Sequence, residues 1–191
     1  MDVRQGEQEL GPLRVPELRP LVTERLDLRV PAKDDLWAMW AITADPATGR
    51  YLGSVHARPD HFQRFSRNAG SWLLYGYGSF MVHDRATGEL IGNAGMFHSF
   101  RGLGDDFDDS VEAGWILRAD RVGLGLAHEA MTAVLAWFER EHGAQRIVCM
   151  TAPDNAPSIR LAGRLGFVPI REAVLPYGDA VRLFERLPAA G

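Results

Sequence analysis

Asp120-Arg121-Val122-Gly123-Leu124-Gly125-Leu126-Ala127-His128-Glu129-Ala130 comes after a strand-like run, Val111 to Leu117, and opens a helix-like run that lasts to about His142. The two glycines permit backbone conformations closed to other residues and leave no side chain in a ligand's way. The first amides of the ensuing helix have no intrahelical partner, so they point outward as an anion site. In outline this is a cradle for a diphosphate.

Two common cradles are excluded by the residues after the glycines. A kinase-type phosphate loop needs Gly, four residues, then Gly-Lys-Ser or Gly-Lys-Thr, and no such pair is present. A dinucleotide fingerprint needs Gly or Ala three residues after the second Gly, where this chain has His128. The short Gly-x-Gly-x-Ala form remains. Downstream lies Asn155-Ala-Pro-Ser158-Ile-Arg-Leu-Ala-Gly-Arg164-Leu165-Gly166-Phe167. The two stretches together, at this separation, resemble the GCN5-related N-acetyltransferases. Near the start, Thr23-Glu-Arg25-Leu26-Asp-Leu28-Arg29 followed by a short helix resembles the RimJ/RimL-like branch, the acetyltransferases of ribosomal-protein N-termini and their relatives.

Composition sets the frame. The chain has 191 residues, 46% hydrophobic and 24% charged, as in an ordinary soluble globular protein, and one core is the expected count. Its formal net charge of −4 gives no bulk attraction to nucleic acid. The single Cys149 excludes an internal disulfide and suits a reducing cytoplasm, and it lies in an apolar strand where a buried structural thiol is expected. No apolar run approaches the ~20 residues of a membrane span, and the N-terminus lacks the apolar core of a signal peptide. A cytoplasmic location is the resulting expectation, with no membrane and no nucleic-acid partner.

Residues 1–20 read as a loosely packed arm and 21–188 as one domain. Leu26, Leu28 and Val30 alternate as a first strand, ended by Pro31, and Asp34 to Ile42 gives a helix. A further helix is predicted around Asp60 to Asn68, then an apolar aromatic run from Ser71 to Tyr77. Ser79 to Asp84 and Leu90 to His98 form a hairpin across Ala86-Thr87-Gly88-Glu89, and the glycines of the second strand predict a bulge or a close-packed neighbour. An acidic connection, Arg101 to Asp109, precedes the strand at Val111. It is readable as an attraction for a cationic amine or as a solvated loop, while a calcium loop lacks its required positions. The helix from Leu124 is predicted to bury Ala127, Ala130, Met131, Val134 and Phe138. A strand from Arg146 to Thr151, a helix from Pro157 to Leu165 and a closing hairpin complete the order. The expected fold is α/β (α+β): a mixed, mostly antiparallel sheet with helices on both faces and a splayed central strand pair.

The resemblance assigns roles. Gly123, Leu124, Gly125, Leu126, Ala127 and His128 would hold the diphosphate of acetyl-CoA. The strand Glu112 to Leu117 would splay from its neighbour at a bulge, so that Ile116 and Leu117 pair with the pantetheine and the Leu117 N–H faces the thioester oxygen. Glu112 matches the family's position for the base that deprotonates the incoming ammonium, and a carboxylate in an apolar setting suits that task. Its plainer reading is a solvent-facing strand residue. Asn155 would hydrogen-bond the pantetheine, or cap the helix at Pro157, or do both. Ser158 would stand near the sulfur, where no Tyr is available to protonate the thiolate. Arg164 matches a basic position that reaches the ribose phosphate, and a solvated helix arginine is the alternative. Asp120 and Val122 depart from the family pattern, with Arg118 and Arg121 keeping the loop electropositive. His98 is a second candidate base, and Trp72, Tyr75 and Tyr77 are core residues or acceptor wall.

These readings imply an acetyl-CoA-dependent N-acetyltransferase acting on a primary amine by direct attack, without a metal and as a monomer or homodimer. The acceptor is a protein N-terminus or a small-molecule amine such as a polyamine, an aminoglycoside-like antibiotic or an amino acid. The alternative of another class is a fold relative that binds acyl-CoA without turnover, as a sensor or scaffold.

Overall fold

A computed structural model describes residues 20–53 and 57–188. The arm expected over residues 1–20 lies, but for its last residue, outside the described residues. In chain order the elements are β1 (Leu21–Val22), β2 (Leu26–Arg29), α1 (Asp35–Ala44), α2 (Pro46–Gly49), α3 (Arg58–Tyr75), β3 (Ser79–Asp84), β4 (Leu90–His98), β5 (Val111–Leu117), α4 (Leu126–His142), β6 (Ile147–Thr151), α5 (Ala156–Arg164), β7 (Val168–Val174) and β8 (Ala180–Arg186). A 3-10 turn, Ala119–Arg121, leads from β5 towards α4. The strands form one eight-stranded sheet in the order β1-β2-β3-β4-β5-β6-β8-β7. Every pairing is antiparallel except that between β5 and β6.

The period-2 patterning in β2 and β3 has its expected consequence. Leu26, Leu28, Phe80 and Val82 share one face with Ala130, Met131, Val134 and Phe138 of α4 and with Ala162 and Leu165 around α5. Met81 and Ile116 turn to the other face, where Met39 and Ile42 of α1 and Phe65 of α3 cover them. A third cluster, Leu103, Phe107, Val148, Leu175, Val181 and Leu183, fills the space beneath the loop before β5 and the β7–β8 hairpin. Of the predicted α4 stripe, Ala127 is only half-buried, and Leu135 and Trp137 complete the buried face instead. The helix also begins at Leu126 rather than Leu124, because Gly125 stands in the left-handed conformation at its N-cap, φ 79°.

Two sequence readings merge into one helix. The stretch expected as a helix over Asp60 to Asn68 and the aromatic run after it are a single 18-residue α3 that continues to Tyr75. Gly76, φ 75°, ends it in the left-handed conformation, the common helix stop. Its last turns are fastened to β3: Asn68 Nδ2 donates to the Ser79 carbonyl at 3.2 Å, and the Ser79 amide donates back to Asn68 Oδ1 at 2.7 Å. Trp72 and Tyr77 are core residues, 1% and 6% exposed, which settles the aromatic run in favour of packing for those two.

Both alternatives offered for the glycines of β4 are present. The register between β3 and β4 shifts at Val82/His83, with Ile91 as the extra residue. At Gly95 a Cβ would lie 2.3 Å from Ser79 Cα and 2.4 Å from the Gly78 carbonyl oxygen. Backbone cannot yield as a flexible side chain can. Gly95→Ala is therefore expected to lower stability by about 1–3 kcal/mol. Gly70, inside α3 with open space around it, supplies the opposite sign: Gly70→Ala should raise stability by about 0.5–1 kcal/mol. Urea unfolding of the two variants beside the parent checks both.

Candidate active site

The site begins where a strand pair gives up. β5 and β6 pair only at Val111↔Ile147 and Glu112↔Val148. Beyond Glu112, β5 stays in unbroken register with β4 up to Gly92↔Leu117, while β6 departs and pairs with β8 through Thr151. The expected splay is present without the expected bulge in β5, because it is β6 that turns away. One-residue irregularities lie elsewhere in the sheet, at Ile91 in β4 and at Ile170 in β7.

Backbone direction along the exposed edge is fixed by one hydrogen bond. The Arg118 amide donates to the Ile91 carbonyl at 2.9 Å. Alternate residues of an antiparallel pair turn their N–H and C=O towards the partner. The backbone of Ile116 therefore faces β4, where its carbonyl oxygen lies 2.0 Å from the place a Cβ on Gly92 would take. The N–H groups of Ala113, Trp115 and Leu117 face the β6 side, that of Ala113 at the last β5–β6 pair and the other two on the opened edge beyond it. Among the described residues, the Leu117 amide thus has no partner and faces the cleft. Ile116, predicted beside it as a cofactor contact, turns its backbone to β4 and its side chain to the α1 face. It offers the cleft nothing.

Two helices begin at the open end of this cleft. The α4 N-terminus carries Gly123, φ 87°, and Gly125, φ 79°, and no side chain caps it. A Cβ at Gly123 would meet nothing within 4 Å. Leu124 is exposed, and Leu126 alone of the cradle residues is buried. The first amides of the helix are thereby left for a ligand. His128 is half-buried in the first turn. At α5, Asn155 Oδ1 accepts from the Ser158 amide at 3.2 Å, so Asn155 is the helix cap. Trp115 spans the cleft: its indole N–H donates to Ser158 Oγ at 3.3 Å, tying the β5 lip to the α5 lip. Arg164, at the far end of α5, is exposed.

The arginines expected to make the cradle electropositive are otherwise engaged. Arg118 pairs with Asp120 at 2.6 Å and reaches Glu89 at 3.6 Å. Arg121 turns to Asp84 and Glu89 of the β3–β4 hairpin, at 3.3 and 3.1 Å. Their charges fasten the turn after β5 to the hairpin and are locally neutralised. Any attraction for a diphosphate rests on amides and the α4 dipole.

On the opposite face of β5 stands Glu112, whose setting differs from the apolar one expected. Its side chain is 4% exposed and is gripped by Arg101, with Nε and Nη2 donating to the two carboxylate oxygens at 2.7 Å each. Ser99 Oγ is a further, short hydrogen-bond donor to the same carboxylate. Burial works to lower the pKa of Arg101, but the Glu112 charge and hydrogen bonds outweigh it and hold that pKa above the ordinary arginine value. The solvent-facing reading of Glu112 is thus excluded. Arg64 of α3 and Tyr177 of the β7–β8 turn lie close enough to act electrostatically on this group.

The acidic loop before β5 is folded around its own acids. Asp108 accepts from the amides of Arg101, Leu103 and Gly104 at 2.9–3.2 Å. Burial pushes its pKa up, and those amides more than offset this, holding it below the usual carboxylate range. Asp106 pairs with Arg171 at 2.7 Å. These two carboxylates serve loop structure, which favours the plainer reading of the acidic run. No metal-holding group of His, Cys, Asp or Glu occurs among the described residues.

His98, the second candidate base, is opposite Val111 in the register, on the α4 face. It rests against Tyr75, with ring centroids 4.6 Å apart. Glu112 points to the other face, so the two cannot serve one acceptor from the same side. Cys149 is buried in β6, where desolvation, and then the Glu112 charge, push its thiol pKa far up. A thiolate nucleophile is not available there. Sequence reasoning missed Ser99, Arg101 and Trp115. The one signal for Arg101 was its place at the start of the acidic loop, which drew attention to the acids instead.

A family model described as an acetyltransferase (GNAT) domain matches residues 25–168. A solved structure from Bordetella pertussis, assigned to the GnaT acetyltransferase family, superposes with a TM-score of 0.79 at 33% identity, covering 88% of this chain and 99% of its own. The uncharacterized N-acetyltransferase YnaD of Bacillus subtilis is 26% identical over 147 residues, 76% of this chain and 81% of its own. RimL, a ribosomal L7/L12 alpha-N-protein acetyltransferase solved with coenzyme A, shares the fold, with a TM-score of 0.71 at 16% identity over 91% of this chain and 100% of its own.

The Arg101–Glu112 pair gives the site its stability test. Arg101→Met strands a buried carboxylate and should cost about 3–5 kcal/mol, as loss of one partner of a buried ion pair does. Adding Glu112→Gln removes the stranded charge and should return part of that loss. Urea unfolding of the single and double variants measures the coupling.

Proposed function

The chain belongs to the GNAT acetyltransferase family, and from that premise we propose that it transfers acetyl from acetyl-CoA directly to a primary amine, with the cleft between β5 and β6 as the cofactor channel. The observation that carries this reading is the free edge of β5 beyond Glu112, opening towards the start of α4, which no side chain caps among the described residues, and the Asn155-capped start of α5. An extended pantetheine arm carries amides of its own and fits such an edge as a further strand would. In this reading the amides from Gly123 to His128 hold the diphosphate, Asn155 and Ser158 line the far lip, and the Leu117 N–H stabilises the oxyanion.

The amine nitrogen bonds to the thioester carbon, the carbon–sulfur bond breaks, and the coenzyme leaves as a thiolate. Before attack the ammonium must lose a proton. Glu112 is the candidate acceptor, and its Ser99 contact supplies a hydroxyl through which a proton can pass to the carboxylate. Ser158 is the hydroxyl nearest the opposite lip and serves the leaving sulfur. Because Cys149 is buried and protonated, no covalent enzyme intermediate is invoked. A protein N-terminus and a small amine are both compatible acceptors.

A second reading has one observation in its favour. The Glu112 carboxylate already accepts from Arg101 and Ser99, as a structural pair would, and a domain that binds acyl-CoA without turnover needs no base. Calorimetric titration with acetyl-CoA and CoA, beside Gly125→Glu, tests the channel first: micromolar binding by the parent, lost in the variant, is the expected outcome. Thiol release with an amine panel then separates the readings. In an enzyme Glu112→Gln should lower turnover by about a hundredfold or more and leave CoA affinity within about twofold. No turnover by the parent with any amine, despite tight CoA binding, would favour the sensor.

A further inference from the structure

We propose that Arg25, with Thr23 and Glu129, is a positioning clamp that aims the amides of the diphosphate loop; the inference rests on the cofactor reading of the β5–β6 cleft. The loop has little else to hold it. Val122, Gly123, Leu124 and Gly125 are all exposed, and α4 has no side-chain cap. Arg25 Nη1 donates to the Leu124 carbonyl at 2.9 Å. Among the described residues no other side chain hydrogen-bonds the backbone from Val122 to Gly125. The Arg25 guanidinium also lies beside Gly125, 3.6 Å from the place a Cβ would take.

The direction of that bond matters. In a planar trans peptide the carbonyl and the following N–H point opposite ways. Drawing the Leu124 oxygen towards Arg25 therefore turns the Gly125 N–H away from it. Arg25 enters from the β1–β2 turn, on the flank of α4 nearest β2, whereas β6 and α5 lie on the other flank in the sheet order. The amide is thus aimed to the side where the cleft opens.

Charge supplies the second half. Glu129 sits in the first turns of α4, where a free carboxylate would repel a bound diphosphate. Its oxygens instead accept from Thr23 Oγ1 at 2.6 Å, the Arg25 amide at 2.9 Å and Arg25 Nε at 2.7 Å, with Nη2 also at 2.7 Å. Burial works to raise its pKa, but these donors outweigh it and hold it below the ordinary glutamate value. One arginine thereby screens the acid beside the cradle and orients the cradle's peptide. The Thr-x-Arg pair that opens the domain acquires a task at residues 99 to 106 positions further along the chain.

The test compares three ligands on the full chain: CoA, 3′-dephospho-CoA and S-acetylpantetheine, which lacks the diphosphate. Arg25→Met should weaken CoA and 3′-dephospho-CoA alike, by about ten- to a hundredfold, and leave S-acetylpantetheine unchanged. Glu129→Gln added to Arg25→Met should restore part of the loss, because the exposed charge is gone. Should Arg25→Met fail to fold, Arg25→Lys, which keeps the charge but not the fork, carries the same comparison with a smaller loss. Equal losses for all three ligands would mean a merely structural role and overturn the inference. So would unchanged CoA affinity, or a loss confined to CoA, which would place Arg25 at the 3′-phosphate instead. A parent protein that binds no CoA removes the cofactor reading, and the clamp with it.

Discussion

The molecule is arranged around a ladder that stops after two residue pairs. A parallel pair inside a sheet ordinarily satisfies its backbone groups along its whole length. Here the edge of β5 beyond Glu112 is left open because β6 is committed to β8 through five residue pairs, Ile147 to Thr151. The antiparallel hairpin of β7 and β8, despite a register shift at Pro169/Arg171, holds β6 on its own course, while β4 holds β5 by an unbroken register. Each strand has a stronger neighbour on its outer side. The gap between them is therefore a property of the whole sheet, and no local loop can close it.

Charges are distributed on the same scheme. Several arginines are tied to a carboxylate from a different element: at the open end Arg25 to Glu129 and Arg121 to Asp84 and Glu89, and near the other end of β5 Arg101 to Glu112 and Arg171 to Asp106. Exposed pairs of this kind contribute little to stability individually. Their effect is to fix where turns and loops lie and to leave backbone amides, rather than side-chain cations, as the groups facing the gap. The Arg101–Glu112 pair differs because it is buried. There a lone carboxylate would be far more expensive than the pair, so the guanidinium and the Ser99 hydroxyl are part of what makes an acid at that position tolerable.

Much of the fold was legible in the sequence. Alternation in Leu26–Val30, the helical stripe of α4, and the glycines of β4 each report a period or a steric need that acts over a few residues. The limits were equally physical. α3 read as two pieces because Gly70 and the aromatic run resemble a break, whereas the helix is sustained by Trp72 against Phe80 and Trp137. At the site, the glycine pair and the Asn-x-x-Ser helix both fall at the end of the sheet where β5 and β6 part. Glu112 was singled out as a residue, but its partner was not, since Arg101 lies in a loop where nothing periodic marks it. Ile116 shows the same limit from the other side. Which of two neighbouring residues turns its backbone to a cleft depends on register, and register is settled by pairs far apart in the chain.

Cys149, the chain's only thiol, occupies the first position of β6 beyond the last pair with β5. It is shut into the main core at 2% exposure. A reagent that needs a thiolate can reach it only when that core opens, so its modification rate is governed by an opening event rather than by surface chemistry. The chain thereby carries a native clock at the apex of its cleft. Whatever ligand bridges the two lips must slow that clock in proportion to how tightly it holds them together.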